Sequence, residues 1–501
     1  MNNKKLNTII FIALCASNLY AQDTYDAERF SSKDLNGTAR YVGMGGALGA
    51  LGGDVSVMGS NPAGTALFRR SEAAFSVSAL FTEEGALGHD RTRMSIDNLG
   101  IVVSNKQHNS ASGLQYVNFG FNYSKRSNFL GNQNLAISNL NGVFSQTWQI
   151  ADLANMAYDY DSWGMLANMS APLYDDKTGE LTSEGIIMDV YDENGTFLGY
   201  EGIGAESANY RRATYGSAMQ SDINLSLNFS DRYFLGVTMG IYKLDYNRES
   251  YYEEIGVDGN YYDFSNWYST KGDGFDIKLG FICRPFEDSP FRFGLSIHTP
   301  IWYKMDDSNG SLLYYNNQLT AEDISEPFYY SLRTPWNFAV SLGHTIGTQF
   351  AIGAEYEYTD VSSAKYYAEN WDEDIYFRHI NSFTSTMLQA QHTIKLGMEF
   401  KPVSEFSVRL GYNYVSSPFK NDAYRIIAYD SPFTETDYTN WKDINRLTVG
   451  LGYRFNGGYI DMAYQFSSQK GDFYAFDDID LLPTEIKRDR SQLLCTLGLR
   501  F

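Results

Sequence analysis

The residue types that most often carry chemistry are present, but they do not form a known motif. The six histidines, His89, His108, His298, His344, His379 and His392, stand singly. None has the HExxH spacing that places two imidazoles on one helix face, and there is no GxSxG elbow to present a serine. Gly43-x-Gly45 is followed by Leu48 where a phosphate loop of the GxGxxG type needs its third glycine, and no GK[ST] follows. Asp189, Asp192 and Glu193 miss the spacing of a calcium loop. Cys283 and Cys495 are too few for a disulfide framework and include no CxxC. The expectation is a protein that is not an enzyme, with no catalytic residue, no metal and no cofactor.

A binding chemistry is better supported. Lys278, Arg284, Arg292, Lys395, Arg409, Arg446, Arg454 and Arg500 fall on one parity of alternating segments, together with Asp276, Glu355, Glu357, Glu399 and Asp461. A cation in a confined apolar passage would meet the carboxylate of an amphiphile, and Arg292, Arg409 and Arg446 are the candidates. The competing reading is that these charges pair with one another, since unpaired charge in a confined space is costly. The run from Phe144 through Trp148, Leu153, Met156, Trp163, Met165, Leu166 and Met169 suggests short amphipathic helices with an adaptable apolar surface. Within it Trp148, Met156, Trp163 and Leu166 are the ligand-contact candidates.

The elements that must position these residues are strands. The chain of 501 residues has 39 Tyr, 32 Phe, 44 Gly and only 11 Pro, a composition suited to sheet. No stretch past residue 21 approaches the roughly 20 apolar residues of a helical span. A mean hydropathy of −0.35 is nevertheless compatible with a membrane barrel, in which only every second strand residue faces lipid. The net charge of −21 argues against nucleic acid as a partner.

Period-two alternation recurs over 75–82, 94–104, 113–124, 217–229, 232–246, 274–284, 290–303, 335–346, 349–361, 390–401, 405–416, 443–455, 458–469 and 491–501, which predicts fourteen strands. Connections alternate between short turns and long loops, the asymmetry of an outer-membrane barrel. The longest loop spans 125–216, with a small hairpin around Asn194-Gly195. Acidic, Tyr-rich stretches such as Tyr251 to Tyr268 read as solvated loop. Tyr453, Phe455, Tyr459, Phe291, Phe293, Phe350 and Phe406 near the turns are expected to form an aromatic girdle. In the last segment Leu493, Cys495, Leu497, Leu499 and Phe501 keep one parity, and Leu494 breaks it.

Residues 1–21 read as a secretory signal, with Lys4 and Lys5 before an apolar segment and Leu19-Tyr20-Ala21 as a cleavage site. Residues 22–71 do not alternate. They contain Gly43-Met44-Gly45-Gly46-Ala47, then Asp54 with a following serine, then Asn61-Pro62-Ala63-Gly64. So much Gly and Ala lets backbone approach backbone, which suits a compact insert in a narrow lumen. This segment resembles the N-terminal hatch of the FadL/TodX family of outer-membrane transporters for hydrophobic compounds. The resemblance implies an all-β, fourteen-stranded transmembrane barrel over 72–501, plugged by a hatch that includes Gly43, Gly45, Gly46, Asn61, Pro62, Ala63 and Gly64. A final strand ending in Phe501 resembles the sorting signal read by the barrel-assembly machinery.

The resulting expectation is a monomeric channel in the outer membrane of a Gram-negative bacterium. It would contact outer-membrane lipid and take up a hydrophobic small-molecule ligand, with long-chain fatty acids as the first choice. The alternatives are a non-transporting barrel that docks a secretion or surface-protein partner, and a transporter of haem or aromatic hydrocarbons. No ordered His/Tyr pair in the sequence favours haem.

Overall fold

The computed structural model describes residues 23–82, 85–107, 113–156, 163–174, 180–372 and 375–501. The signal expected over 1–21 and the candidate His108 lie outside the described residues. Fourteen antiparallel strands close into a barrel. They are β1 (Glu72–Thr82), β2 (Thr92–Lys106), β3 (Leu114–Asn128), β4 (Ala205–Phe229), β5 (Tyr233–Gly256), β6 (Tyr261–Cys283) and β7 (Arg292–His298). They continue as β8 (Asn337–Ile346), β9 (Phe350–Asp360), β10 (Ala390–Phe400), β11 (Phe406–Val415), β12 (Tyr438–Phe455), β13 (Gly458–Tyr474) and β14 (Thr484–Arg500). Closure is by β1 against β14, in register from Glu72↔Arg500 to Thr82↔Arg490. The fourteen segments predicted by periodicity are these fourteen strands, because contact with lipid forces the alternation that the sequence displays.

The exposed face carries an apolar belt. On β14 it is Leu493, Leu497 and Leu499 with Cys495 between them; on β12 it is Leu447, Val449, Leu451, Tyr453 and Phe455. Polar residues take over above it, at Asp443 and Asn445 on β12 and at Asp489 and Lys487 on β14. Four or five outward positions per strand fit a hydrocarbon layer crossed at a tilt. Most of the expected turn-side girdle faces outward, but Tyr459 does not. It points inward, is buried, and donates to Glu72 Oε1 at 2.7 Å. Leu494 breaks parity because it also faces inward, where it packs with Ala463 against Ala39 and Val42 of the N-terminal segment.

Several expected loops are strand. β4, β5 and β6 continue about a dozen residues beyond the predicted ends, so the stretch 247–273 is a paired hairpin rather than a loop. Tyr252, Tyr262, Phe264 and Tyr268, expected on a solvated surface, face inward and are buried. Outside lipid the alternation persists as aromatic-in and polar-out, which a search for apolar faces underestimates. The strand predicted over 290–303 breaks at Thr299-Pro300, since proline lacks the N–H that would continue the ladder. The chain resumes as Trp302–Tyr315, paired with β6 and with Phe328–Arg333.

The described parts of the segment 129–204 fold down onto the barrel mouth. Its helices α3 (Gln146–Met156) and α4 (Met165–Ser170), which follow α1 (Thr24–Ser31) and α2 (Ala39–Gly43) of the N-terminal segment, share a buried core with Tyr252, Phe264, Leu313 and Phe473 of the extended strands. The predicted hairpin is present as Met188–Tyr191 against Phe197–Glu201.

Residues 23–71 fill the lumen as a hatch. A first helix, Thr24–Ser31, is capped by Asp23, whose side chain accepts from Asp26 N at 2.8 Å. A short helix, Ala39–Gly43, is capped by Thr38, which also donates to Asp54 at 2.8 Å. Asn61 caps the 3-10 turn Pro62–Leu67, accepting from Ala63 N at 3.2 Å, with proline at the first helical position where no N–H is needed. Replacing Asn61 with Ala should lower hatch stability by about 1 kcal/mol. Faster proteolysis within 54–71 in an intact barrel would register that loss; unchanged proteolysis would mean the wall contacts alone hold the turn.

Candidate functional site

Inward-facing wall positions carry glycine at matched heights. Gly236 pairs with Gly280, and Gly343, Gly353, Gly397 and Gly411 follow one another across four strands. Hatch backbone lies against them. A Cβ on Gly280 would stand 2.6 Å from Ala63 N, and one on Gly43 would stand 3.2 Å from the Cα of Gly450. Side chains added at Gly353, Gly397 and Gly411 would overlap the Ala47 carbonyl, the Met44 carbonyl and Gly45 N. Gly45 itself has φ +61° and sits between the backbones of Leu396 and Tyr412, so it needs both the conformation and the missing Cβ. Gly46, at φ +80°, turns the chain beside Lys395, and Gly64 accepts from Gly53 N at 3.1 Å. Thus all seven hatch candidates, Gly43, Gly45, Gly46, Asn61, Pro62, Ala63 and Gly64, line or shape the hatch–wall seam. The wall glycines are legible as glycine at inward parity, a signal that a search for apolar faces passes over.

Most inward charges are paired. Lys278 meets Asp222 at 2.8 Å and Asp276 at 3.0 Å; Lys395 meets Glu355 at 2.7 Å and also Glu357, which holds Lys33 of the hatch at 2.7 Å. Arg409 bonds Glu399 at 2.7 Å and Asp461 at 2.8 Å, and Arg40 of the hatch shares Glu399. Arg409 is therefore committed to two carboxylates, not open to a ligand. Arg292 donates to the Leu51 carbonyl at 2.7 Å and so braces the hatch.

Arg446 is in a different setting. It lines a cavity of about 470 Å³ above the hatch together with Arg488 and Arg490, just above the apolar belt. Arg446 donates to Asn413 Oδ1 at 2.8 Å and reaches Asp34 only at 3.8 Å. Arg488 stacks over Trp441 at 4.2 Å, and Arg490 donates to the Leu130 carbonyl at 2.6 Å. The buried Nε of Arg490 has no hydrogen-bond partner among the described residues. Asp26, on the hatch helix beneath, has its carboxyl pushed up to about 6 by burial first and Asp23 second, against the pull of Arg29. A smaller cavity of about 130 Å³ adjoins below, sharing Lys33, Asp34 and Arg446, and runs beside the hatch to His298 and Lys395. Sequence reading missed Arg488 and Arg490 because they fall in or beside the segment taken as a loop.

At the outer end lies an apolar groove of about 360 Å³. Trp148 and Met156 of α3 form one side, Ile426 and Ile427 another, and Phe476 and Leu481 the third. Tyr438 and Tyr474 stack at 4.8 Å in its wall, and the buried Tyr438 stands between the groove and the arginine cavity, lining both. Of the apolar candidates, Trp148 and Met156 are brought together here. Trp163 and Leu166 instead lie in the buried core between the cap and the barrel, with Trp163 donating to the Ala154 carbonyl. Tyr356 and His392 form a 2.7 Å pair on the outer face of the wall, away from the lumen. Among the described residues no group of three or more His, Cys, Asp or Glu is placed to hold a metal.

The fold and the filled lumen define a class: a fourteen-stranded transmembrane barrel with an internal hatch, an arginine-lined cavity and an outer apolar groove. No protein-family model matches the sequence, and no curated protein matches it. Solved structures do share the fold. A FadL homologue of Pseudomonas aeruginosa aligns over 94% of this chain and 99% of its own, at 13% identity and a TM-score of 0.50. The monoaromatic hydrocarbon channel CymD aligns over 94% and 99%, at 10% identity and a TM-score of 0.52. The Pseudomonas putida toluene transporter TodX aligns over 93% and 99%, at 12% identity and a TM-score of 0.50. The resemblance noted in the hatch residues thus extends to the whole architecture.

Proposed function

We propose that the protein is a passive outer-membrane channel for hydrophobic compounds. The observation that carries this reading is a hatch-filled barrel with an outer apolar groove and an arginine-lined cavity that shares Lys33, Asp34 and Arg446 with a second cavity running beside the hatch. The apolar groove removes a cargo from water, and the lumen offers a path between hatch and wall. The likeness to a monoaromatic hydrocarbon channel and to a toluene transporter supports the same reading. Within the class, long-chain fatty acids suit the lumen, because Arg446, Arg488 and Arg490 would meet a carboxylate with charge-assisted hydrogen bonds.

The test is uptake into cells that rely on this channel. Replacing Arg446, Arg488 and Arg490 together with Gln should reduce uptake of a labelled long-chain fatty acid at least tenfold, the equivalent of about 1.4 kcal/mol, while leaving uptake of an uncharged hydrocarbon of similar length near normal. Equal uptake of the fatty acid by variant and parent would remove fatty acids from the reading. Failure of the parent to admit either compound would remove the channel.

A further inference from the structure

The groove and the lumen differ in charge, and the difference bears on what the groove binds. Every charged residue lining the groove is acidic: Asp152, Asp422, Asp477 and Asp478. No lysine or arginine lines it among the described residues, whereas the cavity beyond Tyr438 is lined by Arg446, Arg488 and Arg490 among other cations. Asp422 is exposed, Asp477 and Asp478 are half-buried, and no ion pair is formed by either Asp422 or Asp478 among the described residues. Asp478 Oδ1 instead accepts from Asp480 N at 2.9 Å within its own turn, which leaves its negative charge at the groove.

The apolar walls combine aliphatic side chains with five aromatic rings. Trp148 is exposed into the groove, and Tyr424, Tyr438, Tyr474 and Phe476 complete the lining rings. An aromatic face attracts a cation through its quadrupole, and carboxylates at the same rim add attraction of the same sign. A carboxylate head held there would instead face the like charges of Asp422 and Asp478, where screening by salt is incomplete at close approach. Tail burial contributes equally to an anionic, a neutral and a cationic amphiphile of one chain length, so head charge decides among them.

We propose that the groove is a binding site for lipophilic organic cations, with the apolar body between Trp148, Met156, Ile426 and Leu481 and the cationic head at Asp422 and Asp478. This inference rests on the reading of the groove as the outer capture surface, and not on fatty acids as cargo.

The experiment uses the full chain in phosphatidylcholine nanodiscs, with empty discs subtracted. Binding of three probes of one chain length, dodecyltrimethylammonium, dodecanol and dodecanoate, is measured by calorimetry. The expected order is cation, then alcohol, then anion, with the cation at least tenfold tighter than the anion. Asp422→Asn with Asp478→Asn should bring the cation to within about threefold of the alcohol and leave the alcohol unchanged; asparagine retains the acceptor that Asp478 offers to Asp480 N. Trp148→Ala should weaken all three. Equal binding of the three probes, or tighter binding of dodecanoate, overturns the charge selectivity while keeping the groove. No binding of any probe beyond empty discs overturns the groove itself as a capture site.

Discussion

Replacing Lys395 with Met is expected to destabilise the barrel by about 3–5 kcal/mol, the cost of removing one partner from a buried charge cluster. Lys395 is almost fully buried and is the cation shared by Glu355 and Glu357. Without it Glu355 loses its ion-pair partner, and Glu357 keeps only Lys33 of the hatch. The loss should register as a lower temperature for conversion from the folded to the unfolded band in detergent electrophoresis. A double change, Lys395→Met with Glu355→Gln, should recover more than half of it, because the uncompensated charge is then removed as well. An unaltered transition in the single variant would mean that the cluster is open to water.

The second large effect concerns the wall glycines. Gly411→Val, or Gly353→Val, should expel the local hatch backbone rather than simply crowd a core. The added atoms would coincide with Gly45 N or with the Ala47 carbonyl, neither of which can move without shifting the 43–47 turn. Overpacking of a filled interior costs about 1–3 kcal/mol. Here the strain falls on a segment held by its own caps, so the barrel should still assemble while residues 37–53 become open to protease. The same valine at Gly347, where φ is +56° and nothing lies within 4 Å of the added atom, would strain only a turn and should leave the hatch protected. Equal protease resistance of the Gly411 and Gly347 variants would show that the hatch is not seated by backbone contact.

The strands were legible because lipid imposes one rule on every crossing: Leu447, Val449 and Leu451 must alternate with lumenal partners whatever the cargo. The hatch was legible because Gly43 to Ala47 and Asn61 to Gly64 have a composition that only close backbone packing uses. Legibility falls off outside lipid. The rise of β4 to β6 was hidden because Tyr252 and Tyr262 alternate with charged residues instead of aliphatic ones. Arg409 and Arg446 share parity and residue type, yet one bonds two carboxylates and the other lines a cavity, since partners come from strands far apart in sequence. The groove draws on 145–156, 421–427, Tyr438 and 474–481, four places in the chain that the folded barrel brings together. No local spacing can encode such a site. Trp148 and Met156 were found because they share one helix, while Ile426 and Phe476 had no local pattern to mark them.

The seam offers a last consequence. β1 begins at Glu72, only a few residues after the Pro62–Leu67 turn, and it is the strand that zips to β14 over its whole length. The hatch is thus fastened to the closing edge itself. Any force that draws β1 home during biogenesis also draws the hatch to the wall, and a finished hoop leaves no route for so closely interlocked a segment to leave as one piece. The order of construction is written into the connectivity: the interior is furnished before or as the door shuts.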